Sequence, residues 1–203
     1  MATTLYLRNT KSSGVGIYRD MLIAAGAAAN TGVVNTAASG TSIQWTKTAG
    51  GELMTFITGR SPSAGWTLAG LVSFSLWAEE SQSKANCGIM AHLLKRTAAG
   101  VETEIDTGWA YGAPDEITAV SAAEYLWTAT PTSTNFAADD RLMLAVYIIN
   151  VGTMATGYTC TLTYAAAPAA TGDSFLQLTE NVTFKNPTVL EMGQRPQDAL
   201  LRM

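Results

Sequence analysis

The run of residues 157–164, GYTCTLTY, constrains the fold of this chain more than any other stretch. Tyr158, Cys160, Leu162 and Tyr164 alternate one for one with threonine or glycine. Successive side chains of a β-strand point to opposite faces of a sheet. This period of two therefore predicts a strand with one face on a core and one face in water. The apolar face would bury Cys160, and the threonine face would form an uncharged outer surface.

The same pattern predicts strands along most of the chain, separated by turn residues. We place them at residues 3–8, 42–47, 53–58, 67–79, 87–96, 101–107, 124–130, 141–150, 156–165 and 174–185. The segment 141–150 is almost wholly apolar, which is typical of a central strand covered on both faces. Many short strands with little helix indicate an all-β fold, an antiparallel β-sandwich that is jelly-roll-like.

The chain is expected to form one domain, because β-sandwiches often reach 203 residues as a single unit. We predict the sandwich over residues 1–185, with a long loop or arm over 9–42 in which alanine favours a helical turn at 20–29. Residues 186–203, interrupted by Pro187 and Pro196, are predicted to be a C-terminal tail outside the sandwich.

Charge argues against two classes of partner. The net charge is −4 and no run of lysine or arginine occurs, so neither nucleic acid nor an anionic membrane is an expected partner. The longest apolar runs, 21–29 and 142–149, are too short to span a bilayer, and the N-terminus does not resemble a secretory signal. Charged residues make up only 14% of the chain, which suits a surface packed against neighbours. A plain threonine-rich β-protein would have the same composition.

The two cysteines, Cys87 and Cys160, both lie in predicted strands between apolar residues. Two buried free thiols are the preferred interpretation, together with synthesis in a reducing cytoplasm. A disulfide between them remains the alternative, and it requires neighbouring strands.

Few residues point to catalysis or to a metal. His92 is the one histidine of the chain, and its position inside a strand favours a structural role. The string GRSPS at 59–63 has serine where a nucleophile elbow needs its second glycine. Carboxylates pair at 79–80, 115–116 and 139–140, at strand ends or in turns, where solvated acids are common. A glycosidase pair and, at 139–140, a calcium site are weaker interpretations. No catalytic residue, metal or cofactor is assigned.

Two aromatic residues form a candidate sugar-stacking site. Trp109 and Tyr111 lie in a glycine-bounded loop and are the rings best placed for exposure. An exposed ring face would stack on the apolar face of a sugar. Filling of a core or an interface is the more common role of such rings.

Several strings of the chain resemble a family of tailed-bacteriophage virion proteins with a jelly-roll-like sandwich. They are TLYLRNT at 4–10, SIQWT at 42–46, LWAEES at 76–81 and TGDSF at 171–175. The resemblance implies a non-enzymatic structural protein, a capsid cement or decoration protein that binds the outer capsid surface and stabilises the head. A carbohydrate-binding module of a tail fibre or baseplate is the alternative, and a glycan-cleaving enzyme is the third hypothesis.

The resemblance also implies partners and an interface. The partners would be the major capsid protein and copies of the chain itself in a homotrimer, on a virion surface after synthesis in a bacterial cytoplasm. The candidate subunit or capsid interface comprises residues near the two termini: Leu5, Tyr6, Arg8, Tyr18, Arg19, Leu190, Met192, Arg195, Leu200 and Leu201.

Overall fold

The computed structural model describes residues 2–12, 18–24, 26, 28–35, 54–106, 109–110, 116–117, 121–150 and 158–185. These residues form fourteen strands and no helix, so the predicted all-β fold is confirmed. No helix among them is long and apolar enough to cross a membrane. In chain order the strands are β1 (Thr3–Lys11), β2 (Arg19–Leu22), β3 (Asn30–Asn35), β4 (Met54–Thr58), β5 (Trp66–Leu68), β6 (Val72–Glu80), β7 (Cys87–Arg96), β8 (Glu102–Glu104), β9 (Trp109–Ala110), β10 (Ala123–Ala129), β11 (Thr134–Phe136), β12 (Arg141–Asn150), β13 (Thr159–Tyr164) and β14 (Phe175–Leu178).

Twelve of these strands belong to one sheet, in the order β3-β13-β6-β14-β1-β2-β4-β12-β7-β8, with β10 beside β6 and β9 beside β7. Strands β5 and β11 pair separately. The pairs are antiparallel except for β2 and β4, which run parallel. Strands that are distant in this order meet across one core. Phe56 of β4 packs edge-on against Tyr164 of β13, with ring centroids 5.2 Å apart, which makes the fold sandwich-like.

Alternation decides which side chains enter the core. Leu5 and Leu7 of β1 are 1% and 0% exposed, and every second residue of β6 from Val72 to Leu76 is fully buried. On β12 the six residues from 142 to 147 are all buried, because β4 and β7 flank this strand and side chains pack on both of its faces. The prediction of a central strand covered on both sides is confirmed.

On β13 the predicted burial holds for the apolar face but only in part for the threonine face. Cys160, Leu162 and Tyr164 are buried, as the alternation predicts. On the threonine face, Thr159 and Thr161 are half-buried, and only Thr163, at 7% exposed, is withdrawn from the surface. The turn after β13 folds back over it, and a Cβ on Gly172 would lie 2.6 Å from Thr163 Cγ2. Gly172 also has a φ of +90°, a conformation that favours glycine.

Strand boundaries depart from the predictions where long-range contacts intervene. The expected strand 67–79 is two strands, since the N–H groups of Ala69 and Gly70 leave the ladder and donate to the Glu180 carboxylate at 2.8 and 2.6 Å. The expected loop or arm 9–42 contains β2 and β3, both paired in the sheet. The helical turn at 20–29 is wrong, because its first residues belong to β2. The predicted strand 42–47 and the tail 186–203 lie outside the described residues.

Cys87 and Cys160 form a disulfide, so the prediction of two free thiols is wrong. Their strands, β7 and β13, are not hydrogen-bonded neighbours. Both side chains instead point into the core from opposite parts of the sheet, and their Cα atoms lie 6.9 Å apart. The prediction from the sequence allowed a disulfide only between neighbouring strands, so it did not include a bond that crosses the core.

Candidate functional site

Three of the predicted interface residues lie on β1. Leu5 is 1% exposed and faces the interior. Tyr6 points to the other face, is half-buried and contacts the ring edge of Phe175, with centroids 5.8 Å apart. Arg8 is half-buried, and its guanidinium donates a 2.8 Å hydrogen bond to the carbonyl oxygen of Ala24.

Tyr18 directly precedes β2, and Arg19 is the first residue of β2, opposite Lys11 at the end of β1. Tyr18 is 6% exposed and its hydroxyl donates to Glu102 at 2.7 Å. The Arg19 guanidinium donates to the Asn9 carbonyl at 2.8 Å and stands 5.9 Å from the ring centre of Tyr164. Both side chains are therefore engaged within the chain.

The remaining predicted site residues fall largely outside what the structure describes. Trp109 pairs through its backbone with Ala91, and nothing is described of its side chain. The residues outside the described ranges are Tyr111, Leu190, Met192, Arg195, Leu200 and Leu201.

A groove of about 490 Å³ lies beside β1 and β2. Its volume is in the usual range for small-molecule sites. The wall is mainly apolar, and it draws on four separate parts of the chain. The lining residues are Leu5, Met21, Leu22, Ile23, Ala24, Arg60, Val182, Thr183 and Phe184.

Hydrogen bonds of the segment 180–182 hold one wall of the groove against β1. The Thr3 hydroxyl donates to the carbonyl of Glu180 and accepts from the N–H of Val182, both at 2.8 Å. This contact places Val182 beside β1, where it is 7% exposed. Phe184 then follows as a half-buried lining residue.

The loop after β4 is tied to the same wall. Ser63 N–H donates to the Thr183 carbonyl at 2.8 Å, and Lys185 N–H donates to the Ser61 carbonyl at 3.0 Å. At its other end, Gly59 N–H donates to the Met21 carbonyl at 3.0 Å. Since both ends of the loop are held, Arg60 is anchored beside the groove.

The border of the groove carries an excess of positive charge. Arg60 is exposed and forms no hydrogen bond or ion pair with any residue that the structure describes. The Arg8 guanidinium, bound to the carbonyl of Ala24, lies at the same border. One carboxylate is close: a Cβ on Gly59 would lie 3.0 Å from Asp20 Oδ1, while Asp20 Oδ2 accepts from Thr10 at 3.0 Å. The local charge from these three groups is therefore +1 at neutral pH.

His92 lies elsewhere, on the face of β7 that points away from the main core. Its side chain is 12% exposed, and Nδ1 is 3.8 Å from Glu104 Oε1. Burial lowers the pKa of His92, and the nearby Glu104 opposes that shift. Neither ring nitrogen has a hydrogen-bond partner within the described part of the chain. Since His92 is the one histidine, no nucleophile–histidine pair is assembled within the described ranges.

Two members of the carboxylate pairs, Glu80 and Asp140, are buried rather than solvated, whereas Asp139 is exposed as the sequence predicts and Asp115 lies outside the described residues. Glu80 is 1% exposed, and burial, reinforced by Glu116, raises its pKa although the Cys87 N–H stabilises the ionised form. Asp140 is 4% exposed. Burial alone would raise the pKa of Asp140, but Lys95 and two backbone N–H groups hold it below its ordinary value.

Those same contacts argue against a calcium site at Asp140. Its oxygens accept from Ala137 N–H at 2.8 Å and from Ala98 N–H at 3.3 Å, and Lys95 Nζ lies 3.0 Å away. Across the described ranges, no group of three or more histidine, cysteine or acidic side chains is placed to hold a metal ion.

Sequence reasoning missed Arg60. It belongs to the string GRSPS, which draws attention only as an incomplete nucleophile elbow. A lone arginine between glycine and Ser-Pro does not indicate a binding site by itself. The other residues of the groove lie far from Arg60 in the sequence, so no local pattern connects them.

No protein-family model and no curated protein matches the chain. Solved structures of hydrolases share its fold. A CocE/NonD family hydrolase from Staphylococcus aureus has a TM-score of 0.59 at 12% identity, covering 91% of this chain and 36% of that one. An aminopeptidase from the marine sediment archaeon Thaumarchaeota archaeon has a TM-score of 0.57 at 13% identity, covering 90% and 37%. An α-amino acid ester hydrolase has a TM-score of 0.58 at 12% identity, covering 91% and 36%. The chain thus spans little more than a third of the structures it matches.

These structures correct the functional predictions. They are hydrolases rather than phage capsid proteins, so the resemblance to phage virion proteins is wrong. The same structures contradict the predicted cement or decoration function and its tail-fibre alternative. They also contradict the classification as a non-enzyme. The physical reason is that alternating threonine and apolar residues specify a strand in any sandwich, whatever protein contains it. The predicted homotrimer, the partner classes and the cellular location stay predictions.

Proposed function

We propose that this chain serves as the β-sandwich unit of a hydrolase, in which the groove beside β1 and β2 holds part of the substrate. The observation that carries the proposal is the shared fold over about nine-tenths of this chain, set against little more than a third of each matched hydrolase. That proportion favours one unit of a larger enzyme.

The geometry of the site suits substrate binding rather than bond cleavage. The groove offers about 490 Å³ of mainly apolar space beside Arg60, whose guanidinium has no partner among the described residues, and this arrangement suits binding. A serine or cysteine nucleophile would need His92 as its base, and His92 makes no hydrogen bond with the residues that the structure describes. We therefore assign substrate binding to the described residues and place the bond-breaking groups elsewhere in the enzyme.

The proposal is tested on the native protein, precipitated with an antibody from the cells that make it. The precipitate is assayed with p-nitrophenyl acyl esters and with amino acid p-nitroanilides. We expect hydrolysis that is absent from the precipitate of cells lacking the chain. Equal activity in both precipitates, or none in either, would overturn the proposal.

A groove variant then tests whether the groove binds part of the substrate. Ala24 is an exposed lining residue, so Ala24→Phe reduces the space without disturbing the core. We expect the variant to raise KM with kcat nearly unchanged, because the lost interaction is one of binding. Ala99→Phe, at an exposed turn outside the groove, is the matched control.

A further inference from the structure

We propose that the groove binds an amphiphilic monocarboxylate, an unbranched medium-chain fatty acid anion, with its chain on the apolar wall and its carboxylate at Arg60. No comparison assigns a ligand to this site. That the bound acid is the acyl part of a substrate rests on the proposed function; the binding itself does not.

The apolar wall selects the tail of the ligand. It is formed by aliphatic side chains and one phenyl ring: Leu5, Met21, Leu22, Ile23, Val182 and Phe184. Ile23 is 65% exposed although it borders a concave surface, so apolar area remains to be covered. An alkyl chain would remove that area from water, and burial of apolar surface is the main favourable term in such binding.

The charge beside the wall selects the head of the ligand. Arg60 presents five N–H donors in a planar fork that matches the two oxygens of a carboxylate. Its guanidinium has no competing partner in the part of the chain that the structure describes. A second guanidinium, Arg8, borders the same groove through its hydrogen bond to Ala24.

Asp20 limits the charge that the site accepts. Its carboxylate lies near Gly59, the residue before Arg60. A cationic amphiphile would be repelled by the two arginines. The local charge of +1 fully compensates a monocarboxylate, whereas a phosphate monoester with two negative charges would leave one charge uncompensated beside an apolar wall, which costs free energy.

The ligand class also fits a hydrolase. Ester hydrolysis breaks the bond between the acyl carbon and the alkoxy oxygen, adds the OH of water to the acyl carbon and gives the proton to the alcohol. The released acid ionises at neutral pH, because its pKa is close to that of other carboxylic acids. A groove that binds a carboxylate with an apolar tail would thus hold the acyl chain of the ester before cleavage and the released acid afterwards.

The test measures binding of sodium decanoate to the purified chain by titration calorimetry, below the micelle concentration. Decyltrimethylammonium controls for the head-group charge, decyl phosphate for the anion class and acetate for the tail. We expect decanoate to bind more tightly than all three. Equal affinity for decanoate and decyltrimethylammonium, or tighter binding of decyl phosphate, would overturn the proposal.

Variants locate the site. Arg60→Gln should weaken decanoate binding about fivefold, the scale of one exposed charge pair, and Arg60→Lys should retain part of that affinity. Lys84→Gln removes an exposed cation from the turn after β6, outside the groove, and should leave the affinity unchanged. If Arg60→Gln and Lys84→Gln behave alike, the carboxylate is not held at Arg60 and the proposal fails.

Ala24→Phe should abolish detectable decanoate binding while Ala99→Phe does not, with the fold of each checked by circular dichroism. Equal binding by both would place the ligand outside the groove and overturn the proposal. If decanoate binds as expected but the precipitated protein hydrolyses no ester, the ligand assignment stands and the hydrolase function falls.

Discussion

Glu80 and His92 respond to acid in opposite directions, because burial favours the neutral form of each side chain. For Glu80 the neutral form is the protonated acid, so burial raises its pKa. For His92 the neutral form is the unprotonated ring, so burial lowers its pKa. One side chain therefore costs stability at neutral pH and the other costs stability in acid.

Glu80→Gln is expected to stabilise the protein at pH 7. In the unfolded chain Glu80 ionises freely above its ordinary pKa of 4.5, whereas the folded state resists ionisation. The penalty is present above the folded-state pKa and disappears as the pH falls to 4.5 and below. We expect a gain of about 1 kcal/mol at pH 7 and none at pH 4, measured by urea unfolding.

Glu79→Gln is the control, because Glu79 lies next to Glu80 on β6 but points to the opposite, half-buried face. It should change stability by less than about 0.5 kcal/mol. A loss of stability at pH 7 in Glu80→Gln would contradict the account of Glu80.

His92→Phe is expected to make the protein less sensitive to acid. Below the ordinary pKa of 6.5, the unfolded chain takes up a proton that the folded state resists, so the wild type loses stability as the pH falls. Phenylalanine keeps the ring beside Tyr147, where the ring centroids are 4.5 Å apart, and removes the titration. Between pH 7.5 and pH 5.5 the variant should lose less unfolding free energy than the wild type, by on the order of 1 kcal/mol. An unchanged pH slope would show that His92 does not titrate in this way.

At the scale of elements, one serine completes the sheet where β13 and β14 share an edge of β6. Ser174 is 1% exposed. Its hydroxyl accepts from Trp77 N–H at 2.9 Å and donates to the Thr163 carbonyl at 2.7 Å. The hydroxyl thus bridges the backbone of β6 and the backbone of β13 at the point where β14 begins.

Ser174→Ala should therefore cost about 1–3 kcal/mol of unfolding free energy, because it leaves a buried N–H and a buried carbonyl without this partner. Urea unfolding measures the loss, and amide exchange at Trp77 should become faster. Ser73→Ala, on the half-buried face of β6, is the control and should change stability by less than about 0.5 kcal/mol. Equal effects of the two substitutions would remove the special role of Ser174.

The elements also mark how far local patterns predict structure. The bounds of β7 and β12 agree with the predicted 87–96 and 141–150, because each is a long apolar run between polar turns. The short strands β2 and β3 lie in a segment rich in alanine and glycine, where no alternation stands out. They are strands because β1, β4 and β13 offer them partners.

At the scale of the whole molecule, the Cys87–Cys160 disulfide links β7 and β13, each one strand from an end of the sheet order, across the core. The bond closes a separation of 73 residues. Loop-closure entropy over that length predicts a stabilisation of roughly 4 kcal/mol through the unfolded chain. Reductant should therefore lower the unfolding midpoint of the wild type in urea.

A double variant, Cys87→Ala with Cys160→Ala, provides the control, because its unfolding midpoint should be lower and should not respond to reductant. Thiol titration of the unfolded wild type without reductant should detect no free thiol. Two free thiols in that assay would contradict the disulfide and restore the prediction made from the sequence.

The sequence by itself determined the all-β class and the buried faces of β1 and β6, such as Leu5 and Leu7 on β1. Both follow from the period of two, which is a property of neighbouring residues. Only the tertiary structure decided the disulfide and the groove, because residues 5, 21–24, 60 and 182–184 meet only when the sheet curls and returns. The proposed function rests on the groove: the alternation that specifies a strand is the same in a hydrolase and in a capsid protein, whereas the position of Arg60 beside an apolar wall is set by tertiary contacts.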